Sequence, residues 1–582
     1  MAEEGRFAID DFLVYRRAPG SEELVRVPAR HAAYDFNGQR YRLAWDYNEL
    51  LINPAAQGEV MPMFEACASG DVSYVPRTGH FHPNKPPGTS FLALPGYALI
   101  VAIERLLGVN PDHWWVLTVN AWFTSVLSVG LLSAVGCILF FRLAREFANG
   151  QAGPAALATV SFAFGTTFLP FGTILFDHNL TASLLVAAFY FLRRNSAWAF
   201  VFSGVCAGFA VLTNYVAVGA VAALAFYALV SQSQFQTPRG WAWRRGILFI
   251  LGGVPVACVL GWYHIVNFGS PLTLANEFQN PIFKDPSGTL GMFKMPRPYV
   301  GALLLISPYR GLFFLAPVLI AGVAGVCVWL REKSWVAEAR LCLAVFAFFF
   351  LVNMSFNGYH GGFAAGPRYL VPGIPFLALP LVVAFVRWKK VALVRLAISI
   401  AQQLRLPATD AQNPLAVGGH ARLDDAHRKD DFFCNIVTEY AWPLFAAGRC
   451  EKLLTQLLEA RLETEAAALA TQSDDPVENE RLLSARRAQW KASIAHGEQE
   501  PFLLAAIRGP VSVNPLGVCD GLLGFGNFEI HSLQAQWASF NLGEFLFPRS
   551  RWSIIPWLIV SGGLAAFAVH LARGFDEAGG LP

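Results

Sequence analysis

Residues 79–88, Gly79-His80-Phe81-His82-Pro83-Asn84-Lys85-Pro86-Pro87-Gly88, place two imidazoles, an amide and an ammonium on a chain that cannot be helical. Pro83, Pro86 and Pro87 each fix φ and bias the preceding residue toward extended geometry. A lysine at a lipid–water boundary commonly anchors by snorkelling. The proline cage removes the flexibility that snorkelling uses, so Lys85 is a candidate phosphate contact. Arg368, in Gly366-Pro367-Arg368-Tyr369-Leu370-Val371-Pro372, is the second candidate. Its planar fork suits bidentate contact with phosphate oxygens, while a cap or an interfacial anchor is the simpler role. Asp177 and His178 lie in a very short polar turn, Leu175-Phe176-Asp177-His178-Asn179-Leu180. For Asp177, a general-base or cation-holding role competes with service as a helix N-cap, and Asn179 reads as a cap. His80, His82 and Asp71 could together hold a divalent metal, because an H-x-H pair in extended chain puts both rings on one face. Hydrogen bonding to sugar or phosphate is the competing role for that pair. Arg310, in Ser307-Pro308-Tyr309-Arg310-Gly311, faces the same compartment, and the three cations could surround one phosphate or pyrophosphate.

These residues need a scaffold, and the composition says which. The 582 residues are 54% hydrophobic and only 15% charged, against about 25% charged in soluble domains. The mean hydropathy is +0.41. The apolar residues come in blocks of roughly 20, the length that crosses a bilayer. The expected fold is an all-α polytopic membrane protein of about 11 transmembrane helices. They are placed near 114–142, 152–171, 178–193, 196–213, 215–231, 244–264, 311–330, 336–354, 370–386, 390–404 and 552–572. If they alternate, Arg142/Arg145, Arg193/Arg194, Arg239/Arg244/Arg245, Arg331/Lys333, Arg387/Lys389/Lys390 and Arg573 all fall on one side, as the positive-inside rule requires. Segment 89–107 is apolar too, but as a full span it would carry Lys85 to the basic side. It is therefore read as a juxtamembrane or re-entrant helix, with a buried Glu104-Arg105 pair as the alternative.

The polar loops 1–113, 172–177, 265–310, 355–369 and 405–551 then share the outer face, where chemistry is expected. Four regions follow. Residues 1–88 form an outer-face loop domain with short helices, and 89–404 the membrane core. Residues 405–551 form a soluble insert with a helical hairpin broken near Ser473-Asp474-Asp475-Pro476, and 552–582 a last helix and tail. The insert reads as a packing or partner-binding module. The net charge of +3 gives no argument for nucleic acid. Nine cysteines show no metal-ligand spacing. Cys137, Cys206, Cys258, Cys327 and Cys342 lie in apolar segments as packing residues, while Cys67, Cys434, Cys450 and Cys519 lie in polar ones.

The run from His80 to Tyr97 resembles the K-P-P-G corner of polytopic glycosyltransferases of the GT-C superfamily. The relatives in question are the dolichyl-phosphate-mannose protein mannosyltransferases and lipid A aminoarabinose transferases grouped in family 39. Asp177-His178, Gly366–Pro372, Arg310-Gly311-Leu312-Phe313-Phe314 and Ser539-Phe540-Asn541-Leu542-Gly543-Glu544 are similar to recurring positions in bacterial members. The similarity covers roughly 60–400 and 535–570. It implies an inner-membrane enzyme that moves a sugar from a polyprenyl-phosphate-linked donor to an outer-face lipid, glycan or protein, without a cofactor. It also implies an outer-loop carboxylate as base, Asp71 and Asp177 here. Cations hold the leaving phosphate, with Lys85 matching the motif lysine and His80, His82, His178, Arg310, Arg368 and Tyr369 around it. A flippase for a lipid-linked glycan and a catalytically silent lipid-binding subunit are the alternatives. Such relatives begin with a membrane helix followed by an acidic residue. This chain starts inside what resembles their first loop, so a truncated start is expected; the principal catalytic carboxylate would then be missing, with Asp71 and Asp177 as supporting residues rather than the base.

Overall fold

A computed structural model describes residues 5–10, short strands between 14 and 62, then 72–110, 114–194, 196–230, 242–278, 287–308, 310–359, 361 and 366–409, with scattered positions of 477–488 and 555–570. Asp71, the four polar-segment cysteines, nearly all of the 405–551 insert and much of the 552–572 helix lie outside the described residues.

The short helices expected before residue 88 are replaced, among the described residues, by short strands. β1 (Val14–Arg17) pairs antiparallel with β2 (Leu24–Val27), and β3 (Ala33–Phe36) with β4 (Gln39–Ala44). β5 (Val60–Pro62) adds to β4 in parallel. β6 (Val72–Val75) and β7 (His80–Pro83) form a hairpin whose turn closes through the Thr78 and Gly79 amides onto the Val75 carbonyl. β-branched and aromatic residues recur in these stretches and favour pleated pairing over a helix.

From Gly88 onward the chain is helical, and every span predicted between 114 and 404 is occupied by helix. In order these are α1 (Gly88–Leu107), α2 (Trp114–Ser125), a π-turn Val126–Gly130, α3 (Leu131–Phe147), α4 (Ala152–Phe164), α5 (Phe168–Phe171), α6 (Asp177–Leu192), α7 (Ala197–Thr213), a 3-10 turn Tyr215–Ala217, α8 (Val218–Val230) and α9 (Ala242–Phe268). The second half has α10 (Pro298–Ile306), α11 (Leu312–Leu315), α12 (Val318–Trp329), α13 (Val336–Ser355), a 3-10 turn Arg368–Gly373, α14 (Ile374–Ala378), α15 (Leu381–Arg387) and α16 (Lys389–Thr409). Among the described residues four helices are long and apolar enough to cross a membrane. A pair bent by 49°, Arg368–Ala378 with Leu381–Arg387, brings the number to five. Ala152–Phe164, Ala197–Thr213, Tyr215–Val230 and Val318–Trp329 are shorter apolar helices beside them. The molecule is an all-α polytopic membrane protein in its helical body.

Small residues let the helices approach closely, as expected where lipid gives no hydrophobic drive between them. A Cβ on Gly204 of α7 would lie 1.8 Å from the Phe249 carbonyl of α9, and one on Gly252 of α9 only 2.0 Å from the Val201 carbonyl of α7. Helix α1 runs unbroken through Pro95. It exposes Leu99, Leu106 and Leu107, and its length and composition alone would let it span. Gly96 sits against Leu127, and Ser133 further along the same column meets Asn179 in the first turn of α6. Glu104 is buried and its neighbour Arg105 exposed, so the two do not form a buried pair.

The π-turn keeps one polar face continuous along this column. Asn120, Thr124 and Ser128 are buried at intervals of four, and Ser133 follows after five. At the far end of the bundle Arg193 donates to Glu146 at 2.8 Å and to Glu338 at 2.6 Å, and Tyr227 donates to Glu338 at 2.8 Å. This cluster joins α3, α6, α8 and α13 beneath the Phe147 and Trp335 rings. Removing one partner of a fully buried pair strands the other charge. Glu338→Ala should therefore cost about 3–5 kcal/mol in thermal or chemical unfolding in detergent, and Glu338→Gln less. An unchanged melt for Glu338→Ala would show that Arg193 finds water when its partner is gone.

Candidate functional site

The site forms where α1, α6, α7 and the Arg368–Gly373 turn meet at one rim of the bundle. Gly88 opens α1 directly on the end of α7. A Cβ there would lie 2.5 Å from the Leu212 carbonyl carbon and oxygen and from the Thr213 nitrogen. The proline corner is non-helical as expected, with Pro87 as the N-cap of α1 and Lys85 exposed beside it.

Asp177 is not the N-cap of α6. Phe176 holds that position in extended geometry without a side-chain bond, and Asp177 is the first helical residue, where its charge complements the helix dipole. Its Oδ2 accepts a hydrogen bond from the Asn214 amide at 2.7 Å and lies 3.4 Å from Nδ1 of His178. Asn179 is not a cap either. Its amide donates to the Phe168 carbonyl at 2.8 Å and to the Ser133 hydroxyl at 3.2 Å. Tertiary partners have claimed the polar groups that local reading assigned to capping.

His178 is 3% exposed. Phe171, Phe176 and Tyr369 meet its ring edge-on, with centroids 5.6, 5.9 and 5.5 Å away. The same aromatics support Arg368. Its guanidinium lies 5.2 Å from the Phe176 ring centre and 4.9 Å from that of Tyr369, and donates to the Tyr369 hydroxyl at 3.0 Å. The charges acting on His178 are those of Asp177, Arg368 and Lys85. Asp177 and His178 are thus brought to Arg368 and Tyr369 by direct contacts, and the Lys85 corner borders them where Gly88 docks on α7. Two glycines at positive φ shape the approach. A Cβ on Gly361 (φ +70) would lie 3.0 Å from the Arg368 side chain, and one on Gly366 (φ +82) would meet Leu315 and Thr167 and lie 4.0 Å from the Arg310 carbonyl. Arg310 borders the site through its backbone.

The two histidines of the hairpin are placed differently. His80 Nδ1 is 3.0 Å from Oδ2 of Asp10, which is 3% exposed and also accepts from the Phe81 amide at 3.3 Å. His82 is packed against Phe268, with centroids 5.8 Å apart and Nε2 3.5 Å from the Thr78 hydroxyl. The hairpin docks on the end of α9, where Arg77 donates to the Val266 carbonyl at 3.0 Å and Ser73 to the Ala275 carbonyl at 2.7 Å. Among the described residues no three His, Cys, Asp or Glu side chains gather in a metal-holding group. Sequence reasoning missed Asn214 and Asp10. A lone Asn after Leu212-Thr213 reads as a turn residue, and Asp10 lies seventy positions from its histidine.

No family model matches the chain, and no curated protein matches it. Among solved structures it is similar to ArnT from Cupriavidus metallidurans bound to undecaprenyl phosphate, at 17% identity and a TM-score of 0.34. The apo state of the same protein gives 18% and 0.35. Both alignments cover 78% of this chain and 67% of the other.

Two expected outcomes follow from this geometry. Gly88→Ala meets only backbone on α7, so it should cost about 1–3 kcal/mol of overpacking. Thermal unfolding in detergent reads the loss, and an unchanged melt would mean that α1 slides freely over Leu212–Thr213. The second concerns pH. Burial pushes the His82 imidazole down to about 4, aided by His80 and opposed by Asp10 and by a backbone bond at Phe7. The unfolded chain binds its proton near the ordinary 6.5, so the hairpin is fully stable above that pH. Stability is lost as the pH falls from 6.5 to 4, by about 3 kcal/mol in all. Hydrogen exchange of residues 72–83, corrected for intrinsic rates, should show that step. A step that persists in His82→Phe would belong to another group.

Proposed function

We propose that this chain is a membrane glycosyltransferase that transfers a sugar from a polyprenyl-phosphate-linked donor to an acceptor hydroxyl on the outer face of the inner, or plasma, membrane. The observation that carries the reading is the convergence of two cations, Lys85 and Arg368, with the carboxylate of Asp177 around the caged His178. In the proposed reaction the Asp177 carboxylate takes the proton of the acceptor hydroxyl. The freed oxygen attacks the anomeric carbon from the face opposite the phosphate. The bond from that carbon to the phosphate oxygen breaks, and the phosphate leaves with the electron pair, so the configuration inverts. Lys85 and Arg368 stabilise the charge that grows on the phosphate, which is where preorganised cations contribute most. Tyr369 holds the Arg368 fork, and Arg310 borders the same phosphate. Asp71 stands in the proposal as a second carboxylate, and His80 and His82 as supports of the lysine corner. Residues 1–88 and 405–551 are proposed as outer-face domains around the 89–404 core, with 552–582 as the last helix and tail.

A flippase reading would favour charges midway along the helices. The ion-paired residues Glu146, Arg193 and Glu338 lie instead at helix ends, away from the site. Transfer from a radiolabelled polyprenyl-phosphate sugar pool by full-length protein in detergent tests the proposal. Lys85→Ala and Arg368→Ala should each lower transfer by about 100-fold or more. Lys85→Arg should be poorly tolerated because the prolines leave a planar fork little room. Wild-type transfer in both alanine variants would remove these residues from the mechanism.

A further inference from the structure

We infer that Asn214 is a positioning residue that aims the Asp177 carboxylate at the acceptor hydroxyl; the inference rests on the glycosyl-transfer reading above. Asn214 links α7 to the Tyr215–Ala217 turn in extended geometry, with φ −149° and ψ 110°. Its Oδ1 accepts from the Val216 amide at 3.0 Å, as an N-cap does. That bond fixes which end of the side-chain amide is oxygen. The nitrogen is therefore the end that faces Asp177, and it donates to Oδ2 at 2.7 Å. One oxygen of the carboxylate is held by a donor, and among the described residues the other is left to receive a proton.

The segment that carries Asn214 is itself held on several sides. The Asn214 backbone N–H donates to the Ala210 carbonyl at 3.0 Å. Thr213 meets the Thr181 hydroxyl of α6 at 3.0 Å, and Leu212–Thr213 carry the Gly88 contact. The Tyr215 hydroxyl is 2.8 Å from Nε2 of His264, whose Nδ1 is 3.1 Å from the Pro271 carbonyl. The carbonyl can only accept, so His264 donates from Nδ1 and receives the Tyr215 proton at Nε2. A side chain anchored this way cannot re-aim, and neither can the carboxylate it holds. The same short segment supports the Lys85 corner through Gly88, so the phosphate contact and the base share one mount.

The competing role for Asn214 is capping alone, with the bond to Asp177 a mere bridge between α6 and α7. Asn214→Asp separates the two. It keeps the capping oxygen and replaces the donor with a second carboxylate oxygen. In full-length protein reconstituted with radiolabelled polyprenyl-phosphate sugar, Asn214→Asp should lower kcat by about 10–100-fold and leave the donor KM within about twofold. The exchanged double variant, Asp177→Asn with Asn214→Asp, restores the bridge and the cap. It should recover thermal stability and still not turn over. Turnover recovered by the exchange, or a wild-type kcat in Asn214→Asp, overturns the inference. Asn214→Ser keeps a capping oxygen with shorter reach and serves if the aspartate variant fails to fold; it should show the same selective loss of kcat, and a wild-type kcat in it overturns the inference.

Infrared spectra of 13C-aspartate protein, taken as the difference from Asp177→Asn, report the bond without turnover. The Asp177 carboxylate stretch should shift in Asn214→Ser, and an unmoved band overturns the inference. Wild-type protein that transfers no sugar while its infrared band shifts as expected would instead count against the glycosyl-transfer reading.

Discussion

The contact on which the site depends is the one between Gly88 and the backbone of Leu212 and Thr213. Two polar corners of the chain meet there with no side chain between them. One side carries the lysine, and the other the asparagine that holds the carboxylate. Hydrogen-bonded backbone at the end of a helix is a rigid mount, and a proline-capped turn is another. Joining them without a cushion fixes the spacing of cation and anion to the accuracy of backbone geometry.

Much of the scaffold was legible in the sequence. Blocks of apolar residues of bilayer length, with basic clusters at alternate ends, placed helix correctly from 114 to 404 because lipid forces every backbone group to be satisfied within its own segment. The residue types of the candidate site were legible too: Lys85 from its prolines, Arg368 from its planar fork, Asp177 from its short turn. Their meeting was not, since it depends on contacts between α1, α6, α7 and the turn at Arg368. The same limit explains the errors. Asp177 and Asn179 look like caps when only neighbours in sequence are considered, yet Asn214, Phe168 and Ser133 compete for them in the fold. His80 and His82 look like a ligand pair, but Asp10 and Phe268 separate their roles.

The two ends of the bundle use charge differently. At the far rim Arg193, Glu146, Glu338 and Tyr227 hydrogen-bond one another in a cluster centred on the buried Arg193–Glu338 pair. At the site rim Asp177 and Lys85 keep exposure, and the aromatic rings around His178 and Arg368 supply orientation without neutralising charge. The first arrangement locks helices together. The second keeps polar groups aimed and available.

The π-turn at Val126–Gly130 carries a consequence for how this chain is compared with others. An extra residue in one turn offsets the angular phase of everything on its N-terminal side by about 100°, the angle one residue subtends in a 3.6-residue turn. Asn120, Thr124 and Ser128 share a face with Ser133 only because of that offset. A homologue lacking the residue would align without a gap in hydropathy and yet present a different side of α2 to α1. Position-by-position equivalence upstream of Gly130 therefore has to be judged by phase around the helix axis, and a single-residue gap placed in this turn is the alignment that preserves it.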